Sequence, residues 1–124
     1  MEIVDNSFLR QFETKVSGGL AIIEYSVQER KIFLTKIFVP EMKSKDEFSE
    51  LFISEVLEII RDRNISVVPT AAIITKFIRK NRKYKSLLPV GIRIYIFFIF
   101  FIFFYRNPQP SRILHYLSLK VLRI

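Results

Sequence analysis

Lys31-Ile32-Phe33-Leu34-Thr35-Lys36-Ile37-Phe38-Val39-Pro40-Glu41, followed by Met42-Lys43-Ser44-Lys45-Asp46-Glu47-Phe48-Ser49, is the stretch on which the fold turns. Its first part is rich in β-branched and aromatic residues and predicts a strand. Pro40 closes that strand, because a proline nitrogen cannot donate to a ladder. Beyond the short polar loop, Phe48, Leu51, Phe52, Val56, Ile59 and Ile60 recur at three- and four-residue steps. That spacing stacks them on one face of a helix, while Glu50, Glu55, Glu58, Arg61 and Asp62 take the remainder. Ser44 and Glu47 have the spacing of a capping box, in which the serine caps amides and the glutamate reaches back. Asn64 supplies a left-handed stop for the helix.

Working outward, Ser17-Gly18-Gly19 is a turn signal, since glycine reaches the positive φ that tight hairpins need. A first strand is expected around Gln11–Lys15, a second over Leu20–Val27, and a turn at Gln28-Glu29-Arg30. Short polar connections between such runs predict an antiparallel meander. Ile65–Pro69 reads as a fourth strand beside the third, and residues 71–81 as a second helix carrying Ile74, Phe77 and Ile78 inward. The fold class is therefore α+β: a partly splayed antiparallel sheet with two helices, over residues 1–89. An apolar, basic C-terminal tail, residues 90–124, follows it.

Composition narrows the chemistry. At 124 residues the chain has room for one modest core. It has no cysteine, which removes disulfides, thiolate metal sites and a cysteine nucleophile. His115 is the sole histidine and builds no metal site alone, so no metal is expected. The net charge is +8, unevenly spread. All 12 acids lie at or before Asp62, whereas 12 of the 20 basic residues lie from Arg63 onward. Such asymmetry points to a polyanion or an anionic membrane surface as partner, against the alternative of a solvated basic face.

With Gly18-Gly19-Leu20-Ala21-Ile22-Ile23-Glu24-Tyr25 upstream and Arg61-Asp62-Arg63-Asn64-Ile65-Ser66-Val67-Val68-Pro69 downstream, the chain resembles the compact members of the GCN5-related N-acetyltransferase family. The resemblance spans about residues 10 to 88 and rests mostly on scaffold positions, among them Ala21, Leu34, Val39, Leu57, Val68 and Ile78. It implies acetyl-CoA as cofactor and an amine, on a small molecule or a protein, as acceptor. The implied cofactor contacts are the strand backbone at Phe38 and Val39 and the loop residues Lys43, Ser44, Lys45, Asp46, Phe48 and Ser49. In the family this loop is glycine-rich, so that backbone amides at a helix N-terminus approach the pyrophosphate. Compared without gaps, the three glycines fall on Lys45, Glu47 and Ser49. The Glu47 carboxylate would then sit beside a phosphate, and Asp46 and Glu50 add to the repulsion, offset in part by Lys43 and Lys45. The loop reads as a good helix start and a poor pyrophosphate cradle. For the transfer itself, the resemblance offers Glu24 or Glu41 as base and Tyr84 as acid. Each has a structural reading beside it: a strand surface residue, a loop acid and a packing residue.

Two functions follow: an acetyl-CoA-dependent N-acetyltransferase, impaired at its cofactor loop, or a non-catalytic binding or membrane-associated module on the same fold. Lys76, Arg79, Lys80, Arg82, Lys83 and Lys85 form a basic cluster directly before the apolar run. It reads as a juxtamembrane polybasic segment, as a contact for the CoA 3′-phosphate by resemblance, or as a solvated face. No nucleic-acid reader motif accompanies it. Residues 94–105 are uncharged Phe, Ile and Tyr with one three-residue beat, shorter than the ~20 residues of a membrane helix. Extension over 90–106 makes a candidate membrane segment with Arg93 and Arg106 at its ends. A buried strand, or a simple repeat with no evolved role, stand beside that reading. The N-terminus shows no basic-then-apolar leader, so the expected location is cytoplasmic, with membrane association through the tail as the alternative.

Overall fold

A computed structural model of the chain describes residues 1–91. The elements run β1 (Val4–Asn6), β2 (Gln11–Val16), β3 (Gly19–Gln28), β4 (Lys31–Phe38), α1 (Lys45–Asp62), β5 (Ser66–Pro69), α2 (Ala72–Lys80) and a 3-10 helix (Arg82–Leu87). The five strands form one sheet in sequence order, an α+β arrangement. The candidate tail and its apolar run lie outside the described residues, apart from Val90 and Gly91. Among the described residues no helix is long and apolar enough to cross a membrane.

The first four strands pair antiparallel, whereas β5 pairs parallel to β4, Lys31 facing Ser66 and Leu34 facing Pro69. The sheet is thus mixed rather than wholly antiparallel. The reason is topological: β4 and β5 are joined through α1, and a helical crossover brings the chain back in the same direction. Strand β1 is absent from the sequence expectation. Three residues leave no period to detect, and β1 is held by pairing with β2 and by the Thr14 hydroxyl, which donates to the Glu2 carbonyl at 2.9 Å.

Helix α1 buries Phe52, Ile53, Val56, Leu57 and Ile60, each worth roughly 1.5–3 kcal/mol of burial. The buried face is turned slightly from the expected one: Leu51 lies exposed, while Ile53 and Leu57 go in. Opposite them stand Phe12, Ala21, Ile23, Leu34 and Val67, and α2 adds Ile74, Phe77 and Ile78 to the same core. Asn64 takes a left-handed φ of 56° and ends α1 as expected.

The turns of the second and third hairpins rest on left-handed or glycine positions. Gly19 at φ 135° lies in the region glycine favours, and the β2–β3 turn packs on the loop after β4, where a Cβ added to Gly18 would stand 3.4 Å from Pro40 Cβ. At the β3–β4 turn Glu29 and Arg30 both have positive φ, 48° and 65°. That is the geometry of a type I′ hairpin, built here from two residues with side chains that disfavour it.

Candidate functional site: an opening in the sheet beside the N-terminus of α1

The register of β3 on β4 slips at one point. Glu24 faces Lys36, but Tyr25 faces Leu34, so Thr35 is an extra residue on β4 and forms a bulge. The Thr35 hydroxyl donates to the Glu24 carbonyl at 3.3 Å. A bulge bends its strand and ends regular pairing. On the other edge of β4, pairing with β5 stops at Leu34, whose carbonyl accepts from both the Thr70 and Ala71 amides at 3.0 and 3.2 Å. From Thr35 to Phe38 the strand is paired with β3 alone and its second edge lies open. Thr35 and Lys36 are exposed, and Phe38 is 52% exposed.

Helix α1 begins just past that open edge. Ser44 is its N-cap, but no side-chain capping bond forms. The capping box expected from sequence is therefore not made. The physical cause is the Ser44 backbone: φ −113° and ψ 48° depart from the extended conformation that aims a capping hydroxyl at the first-turn amides. No side chain thus caps the first turn at Lys45, Asp46 and Glu47, where the helix dipole is positive. The amide of Phe48 is already used, donating to the Ser44 carbonyl at 2.9 Å. Among the described residues none from 42 to 49 has positive φ. The loop therefore needs no glycine for its own backbone, and what its side chains change is charge and bulk.

Three side chains of the loop are engaged. Lys45 Nζ lies 3.4 Å from Glu41 Oε2 in an exposed pair, and the Ser49 hydroxyl donates to the Lys45 carbonyl at 2.7 Å. Phe48 packs on Phe52, with centroids 6.0 Å apart. Lys43, Asp46 and Glu47 reach solvent in whole or in part, and Val39 is buried in the core. A separate groove of about 590 Å³ lies between α1, at Phe48 and Leu51, and the far side of the sheet, at Val4, Glu13, Lys15 and Leu20, with no residue of β4 in its lining.

Of the three proposed acid–base residues, Glu24 stands beside the bulge, on β3, one strand in from the open edge of β4. It is half-buried, on the sheet face that also carries Lys36 and is opposite Ile23 and Ile37. Glu41 stands at the far end of the open edge, taken up by Lys45. Tyr84 is 1% exposed, in the core. Its ring meets Phe77 at 5.8 Å, with the Arg61 guanidinium at 5.4 Å and the Lys83 ammonium at 4.9 Å from its centroid. Thr35 escaped sequence reasoning altogether, because an unbroken β-rich run carries no mark of a bulge.

A second polar cluster is structural. Tyr25 Oη donates to Asp5 Oδ1 at 2.6 Å, and Arg63 Nη1 donates to Asp5 Oδ2 at 2.7 Å. Burial, and then the bond to and charge of Asp5, push the Tyr25 phenol up to about 12. The cluster ties β1 to β3 and to the end of α1.

These features define a small α+β acetyltransferase-type domain, its sheet opened at a bulged strand next to a helix N-terminus. Residues 11–87, more than half of the chain, match the family described as GCN5-related N-acetyl-transferase, and the chain belongs to that family. Domains of the family generally use acetyl-CoA. Compared with curated proteins, the chain finds no match.

Proposed function

We propose that the chain is an acetyl-CoA-dependent N-acetyltransferase acting on an amine, with cofactor affinity lowered by its own loop. One observation carries the reading: the open edge of β4 from Thr35 to Phe38 is followed, after the loop of residues 39–44, by the uncapped first turn of α1. An extended amide-bearing arm fits an unpaired strand edge, and a pyrophosphate fits uncapped amides at a helix N-terminus. The backbone at Phe38 and Val39 would hold the arm. The amides of Lys45 and Asp46 would meet the pyrophosphate, with Lys43 and Ser44 beside it. Phe48 and Ser49 serve the helix rather than the ligand, since the Phe48 amide and the Ser49 hydroxyl are spent within it.

Bound acetyl-CoA would supply an acetyl thioester. The residues of the chain would position the amine and take its proton, and Glu24 at the bulge is the best-placed base. The Asp46 and Glu47 carboxylates act against binding, as negative charges on the first turn. The same charges favour the helix, because they sit at the positive end of its dipole.

Calorimetric titration with acetyl-CoA tests this. Measurable binding is expected, and no heat at millimolar ligand sinks the enzyme reading in favour of a non-catalytic module. Neutralising the two acids, D46N/E47Q, is expected to tighten binding by about fivefold to thirtyfold, at ~0.5–1 kcal/mol per charge.

A further inference from the structure

We propose that the outer face of α2 and of the 3-10 helix docks on anionic lipid bilayers, independently of any transfer activity. Ile73, Lys76 and Lys80 follow one another at three- and four-residue steps, so they share a face of α2. Ile73, Lys76 and Lys80 are exposed, while Ile74, Phe77 and Ile78 occupy the inner face. Lys83 and Lys85 are exposed on the next turns, with Arg82 among them. Neither element contains an acid. Glu50 approaches Lys80 only to 3.9 Å, in a pair whose side chains are both solvent-accessible.

A cationic surface alone suits any polyanion, and the apolar residues at its margins decide the partner. Ile73 is 58% exposed at the start of α2, and Val90 is 71% exposed just beyond the 3-10 helix. A phosphate backbone has no use for apolar side chains held out in solvent. A bilayer does: cations meet the headgroups while apolar side chains enter the acyl boundary. In sequence, the uncharged stretch 94–105 follows directly.

The test is flotation of the full chain with phosphatidylcholine vesicles, with and without phosphatidylserine. The readout is the ratio of the two partition coefficients, in which any charge-independent attachment cancels. A ratio well above one is expected, falling as salt shortens the screening length. K76Q/K80Q/R82Q is expected to lower it about a hundredfold, at about fivefold per cation. I73S is expected to weaken binding to the anionic vesicles several-fold while leaving the salt dependence in place. A ratio near one, or a ratio unchanged in the triple variant, overturns the proposal. So does a random-sequence RNA bound as tightly as the anionic vesicles through the same three cations, which reassigns the face to nucleic acid. Should the triple variant fail to fold, the salt series on the unsubstituted chain decides, a salt-independent ratio being fatal.

Discussion

Removing the Tyr25 hydroxyl, Tyr25→Phe, probes how the short strand β1 is held. The phenol donates a 2.6 Å hydrogen bond to Asp5, and Arg63 donates to the other oxygen of the same carboxylate at 2.7 Å. A hydrogen bond to a charged acceptor contributes about 1.5–3 kcal/mol. Asp5 keeps Arg63 in the variant, and the site is only part-buried, so a loss of about 1–2 kcal/mol is expected at neutral pH. The Phe12 ring stays in contact with residue 25, 5.0 Å away, so packing changes little. The pH dependence identifies the interaction. Tyr25 is raised to about 12 in the folded chain, whereas an unfolded tyrosine titrates near ~10. A group whose folded value is raised contributes fully below the unfolded value and loses that contribution as pH rises through the folded one. The stability difference between the unsubstituted chain and the Tyr25→Phe variant should therefore hold steady up to about pH 10 and shrink toward pH 12. Urea denaturation of both chains across that range measures it. A difference that is absent at neutral pH, or that stays constant to pH 12, refutes the account.

Other expectations are simpler. Glu29→Asn with Arg30→Gly relieves two left-handed residues at the β3–β4 turn and should stabilise the chain by about 1–2 kcal/mol, read as a thermal midpoint several degrees higher. Leu34→Ala opens a cavity under the point where β3, β4 and β5 meet, at a residue with 0% exposure, and should cost about 2–5 kcal/mol by denaturant titration. D46N/E47Q should move two quantities in opposite directions. Affinity for acetyl-CoA rises, while α1 loses about 0.3–1 kcal/mol per removed charge, visible in the same samples by calorimetry and thermal melting. Movement of both in one direction would show that these acids do not face the ligand.

The main elements were legible because each carried a local signal. The β-rich run from Lys31 ended at Pro40, the apolar spacing from Phe48 to Ile60 marked α1, and Asn64 stopped it with a left-handed φ. Most of the scaffold positions that carried the family resemblance turned out to be core: Ala21, Leu34, Leu57, Val68 and Ile78 are all at 0–1% exposure. Burial dictates residue type strongly, so a core leaves a readable imprint even where a functional loop has changed.

The site was less legible. The glycine-free loop pointed to a capped helix, yet a ψ of 48° at Ser44 directs its hydroxyl away from the amides. The loop that leads to Ser44 also lies against Gly18, where an added Cβ would stand 3.4 Å from Pro40 Cβ, a contact between segments distant in sequence. Residue types along the chain, and the periods they make, were enough to specify β2 to β5 and the two α-helices, and the resemblance of those segments pointed to the family. The parallel pairing of β5, the bulge at Thr35 and the open edge beyond Leu34 came from strand against strand. A bulge and an open edge are properties of the space between segments, and no residue carries them alone.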